Sequence, residues 1–244
     1  MTYRLESVSY SFGAPILKDI SLDISAGKFI GIAGPNGSGK TTLLRLLSGF
    51  YTPQTGQVLL NGQAISAQKP KDRAKKIAVV TQINAVNPRF KVSEMIDLGR
   101  APYHYWFWQK QNSAEKALIE KITAELKLTN LLERRLDTLS GGERQRTIIA
   151  RALVQDTAVL LLDEPVNHLD IHHQLEILRY LKRLSECGRT IIAVLHDLRL
   201  VRQFCDHLLV LDKGKVIAGT PEEHKRSGLL ARVFELPEDS EFLC

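Results

Sequence analysis

Cysteine is scarce in this chain of 244 residues: there are three, Cys187, Cys205 and Cys244, odd in number and far apart. They form neither a disulfide framework nor a metal-ligand pattern, and they suit a reducing cytoplasm. Long apolar runs are also missing. Nothing approaches the ~20 consecutive apolar residues of a membrane-spanning helix, and the longest runs, such as Ala158–Leu162 and Ile191–Leu195, have the length of buried strands. The first residues hold no charged head followed by an apolar stretch, so no secretory signal is expected. Internal repeats and low-complexity tracts are absent as well.

What remains is the make-up of an ordinary soluble globular protein, 44% hydrophobic and 25% charged. The net charge is +6. Its densest basic run, Lys69–Lys76, contains no aromatic residue and reads as a solvated face rather than a nucleic-acid contact. No nucleic-acid partner is therefore expected.

Four short apolar runs organise the chain, and each ends on a polar residue. Phe29–Ala33 leads to Gly34, Ile77–Val80 leads through Thr81 to Gln82, Ala158–Leu162 to Asp163 and Glu164, and Thr190–Leu195 to His196. Unalternating runs of this length predict strands buried on both faces of a parallel sheet. Ligands of such sheets bind beyond the carboxyl ends of the strands, so the four polar ends predict one polar site. Between strands the spacing predicts helices, among them Ile171–Cys187 with Gly188 as its stop. Leu22–Ile24 alternates and Val58–Leu60 runs into the Asn61-Gly62 turn signal, which predicts an antiparallel β layer. From about Asn87 to Leu139 the pattern turns helical, with Leu118, Ile122 and Leu126 four residues apart.

The stretch Gly34, Pro35, Asn36, Gly37, Ser38, Gly39, Lys40, Thr41 fits G-x-x-x-x-G-K-[ST] and stands between a predicted strand and the helical Thr42–Leu47. Glycines let the backbone curl so that its N–H groups face phosphate oxygens, and the following helix adds its positive end. Lys40 can reach the terminal phosphates, while the Thr41 hydroxyl can ligate Mg²⁺. Asp163, at a strand end, is the second Mg²⁺-holding group such a loop needs, and Glu164 is the candidate base for an attacking water. His196 either holds the γ-phosphate or the water, or serves as a structural hydrogen-bonder.

Leu139–Gln145 reads LSGGERQ. Ser140 and Glu143 make a capping box for a helix over Arg144–Leu153, and Gly141 and Gly142 leave bare N–H groups suited to an anion. This string is identical to the signature motif of ABC ATPases, and the chain resembles that family from Leu5 to about Phe234. The resemblance implies further roles. Tyr10 would stack on adenine, Gly34–Thr42 would cradle the phosphates, and Gln82 would be the Q-loop glutamine beside Mg²⁺. Glu164 would be the catalytic base, Asn167–Asp170 the D-loop, and His196 the switch histidine.

The resemblance implies an α/β phosphate-loop NTPase core with a mostly parallel sheet, an antiparallel β layer and an inserted helical subdomain. The expected division of this single domain, 1–244, is a core of 1–86 and 155–244 and a helical part of 87–154. It also implies a head-to-tail homodimer in which Ser140, Gly141 and Gly142 meet the nucleotide of the other subunit. Asp97–Pro102 and Asn167–Ile177 resemble the importers of iron-siderophores, haem and vitamin B12. That branch implies ATP hydrolysis on the cytoplasmic membrane face, coupled to a polytopic permease and, indirectly, to an external substrate-binding protein. Tyr103–Trp108 holds five aromatics in six residues, read as core packing, as a docking surface for a membrane partner, or as a ring-stacking site.

Overall fold

The computed structural model describes residues 2–81, 89–104, 111–167 and 169–237. Gln82 and residues 105–108 of the aromatic run lie outside the described residues. The chain opens on a hairpin of β1 (Tyr3–Phe12) and β2 (Ala14–Ile24), turned at Gly13, and continues through β3 (Phe29–Ala33) to α1 (Lys40–Leu47). β4 (Thr55–Leu60) and β5 (Gln63–Ala64) are joined by Asn61 and Gly62, at φ 50° and 75°. That left-handed pair matches the right-handed twist of the flanking strands, as the Asn-Gly signal predicts. Next come α2 (Pro70–Ala74), β6 (Ile77–Val80), α3 (Val92–Asp97) with a 3₁₀ continuation to Tyr103, α4 (Ser113–Glu125) and α5 (Gly141–Leu153). The remainder is β7 (Val159–Asp163), α6 (Ile171–Glu186), β8 (Thr190–Val194), α7 (Leu198–Phe204), β9 (His207–Asp212), β10 (Lys215–Gly219), α8 (Pro221–Arg226) and α9 (Leu229–Phe234).

Two sheets result. The smaller is antiparallel in order β2-β1-β4-β5, and the larger runs β10-β9-β3-β8-β7-β6. All pairings of the larger sheet are parallel except the β9–β10 hairpin. The four strands expected from sequence are thus neighbours, β3-β8-β7-β6. β9 is a fifth parallel strand, and the apolar run Leu208–Leu211 ending on Asp212 carries the same signature as the other four.

Residue parity along these strands builds two cores. Phe29, Leu160, Leu162, Ile191 and Ala193 face one side, toward the buried residues of α3, α5, α6 and α7. Ile30, Ile32, Leu161, Ile192 and Val194 face the other, toward α1 and the antiparallel sheet. Each such Leu or Ile contributes on the order of 1.5–3 kcal/mol by leaving water. With every side chain of β3, β7 and β8 buried, the polar groups of the sheet can gather only at its ends.

Boundaries shift slightly from expectation. β7 includes Asp163 as its last residue, and β8 stops at Val194. α5 begins at Gly141, three residues earlier than expected, because its first turn forms directly under the Ser140 cap. α6 ends at Glu186, with Gly188 at φ +93° as its stop.

In the region between β6 and β7, Ile122 and Leu126 of the expected apolar row are buried and Leu118 packs against them. Buried Arg100 donates to Glu115 Oε1 from Nε (3.1 Å) and Nη2 (3.0 Å), and to the Val154 carbonyl from Nη1 (2.8 Å). Burial alone would raise the Glu115 carboxyl. Hydrogen bonds from the Asn112 backbone, Arg100 and His104 outweigh it and hold Glu115 below the usual range.

Gly99 lets the 3₁₀ segment rest on α5, since a Cβ there would come within 2.1 Å of the Arg151 carbonyl. Gly99→Ala should destabilise the fold by about 1–3 kcal/mol through overpacking, read as a lower urea midpoint with an unchanged slope.

Candidate functional site

The phosphate-loop stretch spans the gap from β3 to α1. Its glycines are required by contact as well as by torsion. A Cβ on Gly34 would lie 2.5 Å from the Leu211 carbonyl, and one on Gly39, at φ +102°, 2.9 Å from Ile16 Cγ2. The loop is therefore wedged between β9 and β2. Gly39 sits at the N-cap of α1 in a left-handed conformation without a side-chain cap. The first N–H groups of the helix are thus left for an outside acceptor.

Lys40 is 8% exposed and turns back over the loop, its Nζ donating to the Gly34 carbonyl (2.8 Å) and the Pro35 carbonyl (2.9 Å). Burial lowers its pKa, while the nearby Glu164 and Asp163 carboxylates act in the opposite sense.

Asp163 closes β7 and is 7% exposed. The Thr41 side chain acts on it in the sense that favours the ionised form. Its Oδ1 is buried and finds no hydrogen-bond partner among the described residues, and the same holds for Ser38 Oγ. Burial raises the Asp163 carboxyl above its ordinary range. A buried carboxylate oxygen left over beside a threonine hydroxyl is an oxygen donor set that fits a hard divalent cation such as Mg²⁺. A cavity of about 450 Å³ borders this corner, lined by Thr41, Asp163, Arg45, Phe50, Arg73 and Thr81.

Glu164 follows at φ +55°, a left-handed conformation costing a non-glycine residue about 1–2 kcal/mol. That turn swings its carboxylate out of the strand direction. His196 Nε2, just past β8, lies 2.7 Å from Glu164 Oε1, and Asn167 Nδ2 donates to Oε2. The two strand-end residues thus meet as the parallel sheet predicts. Asn167 is a partner that sequence reasoning placed only in the D-loop.

At the start of α5, the Ser140 N–H donates to Glu143 Oε2 (2.8 Å) and the Glu143 N–H to Ser140 Oγ (3.3 Å). The capping box is complete, and its hydrogen bonds hold the Glu143 carboxyl below the usual range. Gly141 faces open space.

Residues 17–167 match the family described as ABC transporter. The chain belongs to that family.

It is an ATP-hydrolysing cassette of the ABC kind. It is 34% identical to the petrobactin import ATP-binding protein YclP of Bacillus subtilis, over 96% of this chain and 92% of the relative. Identity is 39% to the ferric enterobactin transport ATP-binding protein FepC of Escherichia coli (96% and 87% covered). It is 38% to the hemin import ATP-binding protein HmuV of Rhodopseudomonas palustris (95% and 87%).

The fold matches the ADP conformation of the cassette MJ1267 with a TM-score of 0.84 at 27% identity, covering 96% of this chain and 98% of that one. It also matches the dimeric post-hydrolysis cassette MJ0796 bound to ADP and Pi, with a TM-score of 0.78 at 27% identity (90% and 98%).

Tyr10 is the ring that the resemblance implies for adenine stacking. Tyr10 lies face to face with Tyr51, ring centroids 5.0 Å apart at 13°, so one face of Tyr10 is covered. Phe12, two residues along β1 at the hairpin tip, touches both rings edge-on and is 57% exposed.

A carboxyl with a raised folded-state pKa binds its proton more tightly in the folded chain than in the unfolded one. Ionised Asp163 therefore handicaps folding. The handicap develops as pH climbs from the ordinary aspartate value to the raised one, and is absent below. Asp163→Asn should raise the thermal midpoint of the nucleotide-free protein at neutral pH by about 2–4 °C. The gap between variant and wild type should close in acid.

Proposed function

We propose that this chain is the motor subunit of an importer for an iron chelate (siderophore), haem or cobalamin. The identity to import ATP-binding proteins along nearly the whole chain carries this reading. In it, two copies pair head to tail and dock on a polytopic permease at the cytoplasmic face of a bacterial inner or plasma membrane. An external substrate-binding protein delivers the cargo. Among the described residues no helix is long and apolar enough to cross a membrane, which agrees with a peripheral subunit. The dimeric MJ0796 cassette supports the pairing. The division into a core of 1–86 and 155–244 and a helical part of 87–154 is supported by α3, α4 and α5 falling together between β6 and β7.

The site residues take the following roles in this reading, Gln82 by the resemblance alone. Backbone N–H groups within Gly34–Thr42, Pro35 having none, would face the phosphates, and Lys40 would exchange the loop carbonyls for phosphate oxygens. Thr41, Asp163 and Gln82 would hold Mg²⁺, which supplies charge neutralisation at the β- and γ-phosphates. Glu164 Oε1 is poised to accept a proton from the attacking water, with His196 orienting the same oxygen. Gly141 and Gly142 offer the N–H groups at the start of α5, and Ser140 its hydroxyl, to the partner's nucleotide. Phe12 offers a freer ring face to adenine than Tyr10 does.

Glu164→Gln should cut hydrolysis on the order of 10²-fold or more while ATP still binds, measured by phosphate release and nucleotide titration. Lys40→Ala should weaken nucleotide binding itself. Phe12→Ala should weaken ATP binding about tenfold, as losing one aromatic stack of ~1.5 kcal/mol does, and more than Tyr10→Ala. Affinity purification from detergent-solubilised membranes tests the importer reading. A stoichiometric polytopic partner is the expected result, and recovery of the chain alone or with ribosomes or DNA would refute it.

A further inference from the structure

Glu164 keeps a left-handed backbone at φ +55°, and such a conformation persists only where neighbours over-determine it. The neighbours here are side chains. Among the described residues, the turn after β7 has one weak backbone bond of its own, from the Asn167 N–H to the Glu164 carbonyl at 3.4 Å. Pro165 has no N–H to give. Its carbonyl instead accepts from Gln145 Nε2 of α5 at 2.8 Å, a part-buried bond between residues 20 positions apart.

From the other side, Gln174 Nε2 of α6 donates to the Val166 and Leu169 carbonyls at 3.3 and 3.0 Å. Val166 itself is buried in the core. A second link joins the same two helices. Asp170 caps α6 through the His173 N–H (2.9 Å) and holds His173 Nδ1 at 2.7 Å. The His173 ring then rests 3.5–3.7 Å from where a Cβ of Gly142 would stand. α5, which starts at the signature motif, is thus fastened to the turn that aims Glu164.

We infer that Gln145 is a positioning residue for ATP hydrolysis. Through the Pro165 carbonyl it ties the signature helix to the backbone conformation that presents Glu164. The inference rests on the reading of Glu164 as the base. It also makes the angle of α5 a variable that the same chain's hydrolytic carboxylate feels, through one hydrogen bond. A Gln145 defect should therefore act on the rate of the step and not on nucleotide capture, because no group of the phosphate loop is involved. It should also vanish once Glu164 can no longer act.

A double-mutant cycle on the full chain tests this. Gln145→Met keeps length and removes the donor. The expected result is a fall in kcat of about tenfold or more, with KM and the ATP dissociation constant within about twofold and a thermal midpoint lowered by no more than about 4 °C. Gln145→Lys restores a donor of similar reach and should recover at least about half of kcat. In a Glu164→Gln background, adding Gln145→Met should change the residual single-turnover rate less than about twofold.

Undiminished kcat in Gln145→Met, equal losses in the Met and Lys variants, or the same fold loss in both backgrounds would each overturn the link. The base reading fails separately, on wild-type turnover in Glu164→Gln alone. Should Gln145→Met fold poorly, the Lys variant still decides, since a folded, donor-bearing chain with lost turnover contradicts the inference.

Discussion

Asp163 closes a strand whose other side chains are all buried, and an ionised carboxylate in that place has lost much of its water. The structure around it is arranged to answer that deficit only in part. The Thr41 side chain and the nearby charge of Lys40 favour its ionised form, yet Lys40 Nζ is bound to loop carbonyls and Oδ1 has no partner among the described residues. A buried carboxylate held this way favours any bound species that brings positive charge or donors to it. The same burial that makes the strand a stable member of the sheet makes its end a strong ligand. Fold stability and the proposed nucleotide chemistry meet in this one residue.

Glu164 shows the complementary arrangement. Its backbone is turned against its intrinsic preference, and the energy of that turn is offset by distant side chains on two helices. Hydrogen bonds to carbonyls that no strand or helix satisfies do two things there. They remove unsatisfied acceptors from a part-buried turn, and they fix a torsion on which the direction of a carboxylate depends. His196 and Asn167 then hold the two oxygens. The carboxylate is placed by the sheet, the turn and two side chains together, which limits its freedom before any substrate arrives.

Much of this was legible in the residues. The four apolar runs with polar ends became four adjacent parallel strands because burial on both faces leaves no other place for polar groups. The Asn61-Gly62 pair, the Ser140–Glu143 box and the Gly188 stop are local rules whose geometry depends on neighbours in sequence, and each appears where expected. The unread features are those set by contact between distant segments. Whether Tyr10 or Phe12 shows a free ring depends on Tyr51, some 40 positions away. The Gln145–Pro165 bond is likewise invisible to spacing, as is Gly99 pressed on Arg151. β9 differs from these, since its run of Leu208–Leu211 before Asp212 obeyed the rule applied to the other strands.

The wedging of the phosphate loop between two sheets has a consequence for how a nucleotide is received. Gly34 abuts the backbone of β9 and Gly39 abuts a side chain of β2, while the Lys18 N–H bonds the Gly214 carbonyl at 2.7 Å and stitches one sheet to the other. The loop is thus a socket cast before its guest arrives. Little chain ordering remains to be done on entry, so little of the gross attraction between amides and phosphates is consumed in shaping the socket. Discrimination at that end falls to fit. In the proposed role, a phosphate chain would meet donors already set in place by the two sheets.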